Sequence, residues 1–215
     1  MKRYGAVALA CLLVACGSEE TSAPTEPTAA MGDVQTQSAL PELVGASLWE
    51  VDRQASRLGF KATQNGRDFE GSFGAWEARI LLDPEDPSAE GQIEAAVDVS
   101  SADAGTKERN DALPAGDWFD AARHPTARFQ SSDIRPLPEG EGAYEAIGTL
   151  SLKGVTRDVT MPFVLTIGDD GRAVADGSVM LDRSDFNVGA GQFATGEWVG
   201  LEVEVTLHIE AEPAR

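Results

Sequence analysis

An apolar–polar alternation with a period of two residues is the feature that most constrains this chain. In Val199–Glu210 every odd position is apolar, and every even position holds glycine or a polar residue. Leu58–Ala62 follows the same alternation, and Ile93–Val99 does so except at Ala96. A strand with one apolar and one solvated face produces this period, whereas an α-helix requires about 3.6 residues. The alternation predicts an all-β, antiparallel fold.

Further candidate strands extend the pattern, and turn-forming residues separate them. The strands are Phe69–Leu82, Thr126–Ser131, Tyr144–Leu152, Asp158–Ile167 and Ala173–Leu181. The turns are Asp83–Pro87, Pro138–Gly142 and Gly168–Gly171. Within the first strand the apolar phase changes at Gly74-Ala75, which predicts a bulge or a bend.

One short helix is predicted over Thr106–Leu113, with Thr106 as its N-cap and Pro114 ending it. About eight strands, each with a single apolar face, are best buried by an antiparallel barrel. A barrel of this size either packs solid or holds one small ligand. A two-sheet sandwich is the alternative.

The first residues resemble a bacterial lipoprotein signal. Met1-Lys2-Arg3 is positive, and the apolar run Gly5–Val14 is too short for a membrane-spanning helix. Leu13-Val14-Ala15-Cys16 resembles a lipobox, in which the signal is cut before the cysteine and the cysteine is acylated, with palmitate among the chains. Residues 1–15 are therefore predicted to be a signal peptide and Cys16 a lipid anchor on the periplasmic side, with Gly17 favouring the outer membrane. The alternative is an ordinary signal with an incidental cysteine.

Residues 16–46 are predicted to be a disordered acidic tether, rich in Ser, Thr, Pro, Ala and Glu. Ala39–Val44 packing on the domain as a strap is a weaker alternative. The barrel domain is predicted over residues 47–213. It contains no cysteine, because only Cys11 and Cys16 occur, so disulfides and thiolate sites are excluded there.

Composition and side-chain inventory argue against nucleic-acid binding and against catalysis. The net charge of −19 repels a phosphate backbone. His124 precedes Pro125 and His208 lies on a polar strand face, so neither suggests a metal or haem site. Ser184 lies in the acidic run Asp182–Asp185, which is interpreted as a solvated strand end. No catalytic residue, metal or cofactor is predicted.

Motifs spaced along the barrel segment resemble the YceI-like family of lipid-binding proteins. They are Trp49–Asp52, Phe69–Phe73, Asp117–Asp120, His124–Phe129, Gly148–Thr156 and Asp182–Phe186. The resemblance implies a lipocalin-like barrel whose apolar interior holds a polyisoprenoid chain, in a protein secreted to the periplasm. The segment Ala62–Gly66 is similar to the same segment in the branch of the family that is associated with b-type membrane cytochromes. Quinol is the natural substrate of those cytochromes.

If the apolar strand faces line the barrel, the ligand-binding side chains follow from the alternation. They are Phe60, Phe73, Ile80, Val97, Phe129, Leu150, Phe163, Leu165, Val203 and Leu207. Basic residues near turns are candidates for contact with a phosphate or quinone head group, namely Lys61, Arg67, Lys153 and Arg157.

The favoured function is binding or carrying an isoprenoid lipid of the polyprenyl or quinone type. Its partners are then that lipid and, through acylated Cys16, the membrane. The alternatives are a solid barrel with a structural or interaction role at the outer membrane, and an enzyme of unrecognised chemistry.

Overall fold

The computed structural model describes residues 48–84, 86, 91–138 and 140–214. The predicted signal peptide, tether and strap lie outside these residues, and the predicted domain boundaries stay predictions. The described strands are β1 Leu48–Val51, β2 Arg57–Gln64, β3 Arg67–Phe73, β4 Trp76–Leu81, β5 Gln92–Asp98, β6 Ala102–Asp103, β7 Thr126–Pro136, β8 Ala143–Leu152, β9 Val155–Ile167, β10 Ala173–Asp182 and β11 Glu202–Pro213. The one described α-helix is α1, Lys107–Ala112, and 3₁₀ turns lie at Val99–Ser101, Arg183–Phe186 and Gly191–Phe193.

These strands form one closed antiparallel sheet with eight strand positions around the barrel, and three of these positions are each occupied by two short strands. β1 and β2 share the first position because both pair with β11, at Val51–Ala211 and Leu58–Leu207 respectively. β3 and β4 share the second position, and β5 and β6 share the third. β7 to β11 follow in chain order. The predicted all-β, eight-stranded barrel is confirmed, and the two-sheet sandwich is excluded.

The predicted change of phase at Gly74-Ala75 corresponds to the bend between β3 and β4. It lets Phe73 and Trp76, which have opposite parity, both face the interior. A second irregularity lies in β7, where the pairing with β8 shifts between Ser131 and Asp133. Such a bulge reverses the side-chain alternation beyond it, so Ile134 is buried with the interior residues.

Tight turns connect neighbouring strands along the meander. Between β2 and β3, Asn65 and Gly66 have φ values of 52° and 70°. Two positive φ angles in succession define the turn that matches the twist of a two-residue hairpin, and asparagine with glycine favours it. Lys153 and Gly154 have φ values of 50° and 75° and connect β8 to β9 in the same way.

The helix lies where the sequence predicts it. Thr106 is the N-cap, and its Oγ1 accepts a hydrogen bond from the Arg109 backbone N–H at 3.4 Å. The Asn110 side chain fixes the helix to the preceding chain, because its Oδ1 accepts from Ala104 N–H at 2.7 Å and its Nδ2 donates to Asp103 at 2.9 Å. Arg109 of α1 also donates a hydrogen bond to Gln64 at the end of β2, so α1 lies near the end of the barrel that carries the β2–β3 turn.

Candidate ligand cavity

The interior of the barrel encloses a cavity of about 650 Å³. This volume lies within the range of about 300–1,000 Å³ that is typical of small-molecule sites. The wall consists almost entirely of aliphatic and aromatic side chains from the inward faces of the strands. Since the wall offers very few polar partners, it suits a long apolar ligand.

All ten ligand-binding residues predicted from the alternation lie in the wall of this cavity. Phe60, Phe73 and Phe129 contribute aromatic surface, while Val203 and Leu207 contribute aliphatic surface from the last strand. Their contact with a ligand stays a prediction, but the geometry that contact requires is present.

The interior is open and does not form a solid core. Val203, Leu207 and Leu150 lie within long strands and face inward, yet each keeps partly accessible surface. In a close-packed interior, side chains at such positions interdigitate and leave no space larger than a water molecule. The accessible surface of these residues therefore faces the cavity.

One end of the cavity is closed by packed side chains, here called the closed end. Its buried residues are Leu82, Ile134, Tyr144, Ala146 and Phe163. Trp49 packs against this cluster, and its indole Nε1 donates a hydrogen bond to the Leu82 carbonyl at 2.8 Å. The only indole N–H at this end is thereby satisfied among the described residues.

The opposite end reaches the surface beside α1. Among the lining residues, only Thr106 and Glu108 are exposed, and both lie at the start of the helix. Gln64, at the end of β2, and Arg109 also line the cavity there. These four residues, Gln64, Thr106, Glu108 and Arg109, are called the polar rim.

Arg109 is held in the polar rim by contacts from distant parts of the chain. Its Nε donates to Gln64 Oε1 at 2.8 Å, and its Nη1 donates to the Ala104 carbonyl at 3.0 Å. The guanidinium carbon lies 4.0 Å from the centre of the Phe69 ring. Stacking on an aromatic face is favourable for a guanidinium and fixes its plane.

The other arginine of the cavity wall, Arg183, is 5% exposed. Its nitrogens donate to five carbonyls at 2.6 to 3.1 Å. The accepting residues are Val188, Gly189, Phe193, Val199 and Gly200. Burial lowers the pKa of Arg183, an effect that the neighbouring Asp182 opposes. Since a guanidinium has five N–H groups, every donor is used, and Arg183 ties the chain from 188 to 200 to the barrel.

The interpretation of Asp182–Asp185 as a solvated strand end is wrong for Arg183. Ser184 and Asp185 are exposed, and Asp182 Oδ1 accepts hydrogen bonds from the Ser184 backbone and hydroxyl at 2.8 and 2.6 Å. These two bonds lower the pKa of Asp182. Sequence alone did not separate the buried cation from the exposed carboxylates because the run has no apolar periodicity.

The basic residues proposed for head-group contact lie outside the cavity wall. Lys61 is on the outer face between Glu70 and Glu204, with its Nζ 3.8 Å from a carboxylate oxygen of each. Lys153 Nζ donates to the Asn187 carbonyl at 2.7 Å. Arg67 and Arg157 are exposed. Two arginines that do line the cavity, Arg109 and Arg183, are not among these four residues, and Arg109 was missed because it lies on a short helix without an apolar stripe.

Neither histidine lies in the cavity wall. His208 is on the outer face, where its Nδ1 lies 2.7 Å from Asp176 Oδ1. Across the described ranges, no group of three or more His, Cys, Asp or Glu side chains is arranged to hold a metal ion. Within the same residues, no helix has the length and apolarity needed to cross a membrane.

The closed antiparallel sheet and its apolar cavity define a lipocalin-like barrel with an open interior. The chain belongs to the YceI-like domain family, which matches residues 49–211.

Relatives of this chain occur among proteins of several bacteria. A UPF0312 protein of Vibrio vulnificus is 28% identical over 180 residues, which cover 80% of this chain and 90% of that protein. The crystal structure of Burkholderia cenocepacia BcnA is 33% identical with a TM-score of 0.69, and the match covers 75% of this chain and 99% of that chain. A polyisoprenoid binding domain from Saccharophagus degradans shares the fold, with 15% identity, a TM-score of 0.62 and coverage of 79% and 100%.

Proposed function

We propose that this protein binds an isoprenoid lipid, of the polyprenyl or quinone type, inside the barrel. The observation that carries the proposal is the apolar cavity of about 650 Å³, which runs through the interior from the closed end to the polar rim. Transfer of each methylene group from water to such a wall is favourable by about 0.8 kcal/mol. A long hydrocarbon chain therefore gains affinity without any specific polar contact.

The shape of the cavity supports a chain-like ligand that enters in one direction. The closed end, at Tyr144 and Phe163, offers only apolar contacts, whereas hydrogen-bonding groups concentrate at the polar rim. An amphiphile is accommodated with its tail toward the closed end and its head toward the surface. The similarity to a domain described as polyisoprenoid binding supports the choice of an isoprenoid.

The proposal also covers the localisation of the barrel in the cell. The lipobox-like segment ending at Cys16 supports acylation of that cysteine and attachment to the periplasmic side of the cell envelope, with the outer membrane favoured by Gly17. A barrel tethered beside a membrane exchanges lipid with that membrane over a short distance. The proposed role is therefore binding or carrying lipid, not chemical conversion of it.

A tryptophan placed inside the cavity tests the proposal. Val203→Trp puts a large ring into the space that the lipid chain is proposed to occupy, and Met180→Trp places the same ring on the outer face, where Met180 is 57% exposed. Wild type and both variants are purified identically from membranes. Bound prenyl lipid per mole of protein is then measured by organic extraction and mass spectrometry.

We expect Val203→Trp to carry much less prenyl lipid than wild type and Met180→Trp to carry as much as wild type. The melting temperature of lipid-free Val203→Trp should differ little from that of lipid-free wild type, because the ring fills existing space and does not overpack a core. Equal lipid contents in all three proteins would contradict binding in the barrel. A large loss of stability, with no prenyl lipid in wild type, would support a structural barrel instead.

A further inference from the structure

Arg109 differs from the other cavity arginine in the number of donors that it leaves available. A guanidinium has five N–H groups. Within the part of the chain that the structure describes, the bonds from Arg109 to Gln64 and to Ala104 use two of them, which leaves three. Arg183 by contrast uses all of its donors on backbone carbonyls. Arg109 is therefore the arginine of the cavity wall that can donate to a ligand.

The charge of Arg109 is also available. Among the described residues no carboxylate forms an ion pair with it, and the acid two residues further along α1, Asp111, pairs with Lys107 at 2.6 Å. The partners that fix Arg109, Gln64 Oε1, the Ala104 carbonyl and the Phe69 ring, are all uncharged. They hold the guanidinium in place and leave its positive charge to attract an anion.

Glu108 places a negative charge at the same opening of the cavity. It is exposed and lines the cavity next to Arg109 in the polar rim. Since the protein carries a net charge of −19, an anion near the surface is otherwise repelled. A ligand with an anionic head therefore depends on Arg109 and is opposed by Glu108.

We infer that the polar rim recognises an anionic oxo group, phosphate or carboxylate, at the head of the apolar chain, and that Arg109 is the residue that binds it. This inference rests on the proposed function, because it assumes that the chain occupies the barrel. The planar donor fork of a guanidinium matches the paired oxygens of phosphate and carboxylate. The head lies at the mouth and remains close to water, while the tail fills the cavity toward Tyr144 and Phe163.

The inference is tested with probes that share one chain and differ at the head. Geranylgeranyl phosphate, geranylgeranoic acid, geranylgeraniol and the ubiquinone that carries the same geranylgeranyl chain are titrated into the full chain, and dissociation constants are compared. Wild type should bind the phosphate about tenfold or more tightly than the alcohol. A single hydrogen bond to a charged group changes a dissociation constant by about this factor. The carboxylate probe shows whether a single negative charge is sufficient.

Two neighbouring variants change the charge in opposite directions. Arg109→Gln should weaken binding of the phosphate much more than binding of geranylgeraniol, so that the preference is lost. Glu108→Gln should strengthen binding of the phosphate more than binding of the alcohol. Arg157→Gln, which removes an exposed arginine outside the cavity, is the matched control and should change neither constant.

A second measurement on wild type guards against misfolding of the variants. The affinity for the phosphate should fall as salt is raised, while that for the alcohol should not, because salt screens only the charged contact. Equal affinities of wild type for phosphate, quinone and alcohol, independent of salt, would overturn the inference while leaving lipid binding in place. If none of the four probes bound to wild type, the proposed function itself would be overturned.

Discussion

Tyr144 on β8 and Phe163 on β9 lie directly opposite each other, and their rings stack with centroids 5.6 Å apart and an interplanar angle of 16°. Each is 7% exposed. Phe163 borders the cavity, whereas Tyr144 lies beyond it. The stacked pair therefore belongs to the packed closed end, with one ring on the cavity wall and the other behind it.

Phe163→Ala should lower the free energy of unfolding by about 3 kcal/mol. We expect a value at the low end of the range for such truncations, because the new space joins an existing cavity. Urea unfolding of lipid-free protein measures it. The control is Val164→Ala at the next position, which is 51% exposed on the outer face and should cost less than about 1 kcal/mol. Equal losses in both variants would contradict the packing of the closed end.

Arg183→Met should destabilise the protein by about 3 kcal/mol or more, because it removes the donor for five carbonyls in one segment. Amide hydrogen exchange should accelerate across residues 188–200, where those carbonyls lie, before it does so in the strands. Arg157→Gln is exposed and should change stability by less than about 0.5 kcal/mol. Unchanged exchange in that segment of the Arg183 variant would show that the guanidinium does not hold it.

The cavity wall was predictable from the sequence, whereas the polar contacts around it were not. Val203 and Leu207 were assigned to the interior because a strand alternates its faces every second residue, and a closed barrel turns one of those faces inward. That rule depends only on local geometry. It also predicted the bend at Gly74-Ala75, since a change of phase requires one.

Arg109 and Arg183 were not predictable because their positions depend on contacts distant in sequence. The partner of Arg109, Gln64, lies 45 residues away, and the Arg183 guanidinium bonds to carbonyls up to 17 residues away. No period or motif indicates which arginine turns inward. By contrast, Lys61 and Arg157 looked equally suitable in the sequence and lie outside the cavity.

Protonated His208 should contribute to stability in acid and lose that contribution as pH rises. The hydrogen bond to Asp176, 2.7 Å long, raises the pKa of His208 above the ordinary 6.5, while desolvation opposes the shift. Glu210 lies 3.5 Å from Nε2 and adds to the effect, although Arg172 also pairs with that carboxylate at 3.8 Å. A raised pKa in the folded state stabilises fully below the unfolded pKa and ceases to stabilise as pH passes the folded pKa.

The comparison with His208→Gln isolates this effect, because the other titrating groups are common to both proteins. The difference in the free energy of unfolding between wild type and variant should be larger near pH 5 than near pH 9, values that lie about two units either side of an ordinary histidine pKa. Urea unfolding across that interval measures it. A difference that grows toward alkaline pH would contradict the sign. The amplitude should be small because the side chain is largely solvated.

Cys16→Ser tests the lipid anchor, which lies outside the described residues. The change removes the sulfur that the lipobox-like sequence presents for acylation, so cells grown with a clickable palmitate analogue should yield an unlabelled protein that keeps its signal peptide. Cys11→Ser is the matched control, since Cys11 lies inside the predicted signal and should be dispensable for labelling. Wild type and the control should be cut before Cys16, whereas Cys16→Ser should migrate at the larger mass of the uncleaved protein. Palmitate labelling of Cys16→Ser equal to that of wild type would place the modification elsewhere and refute the anchor.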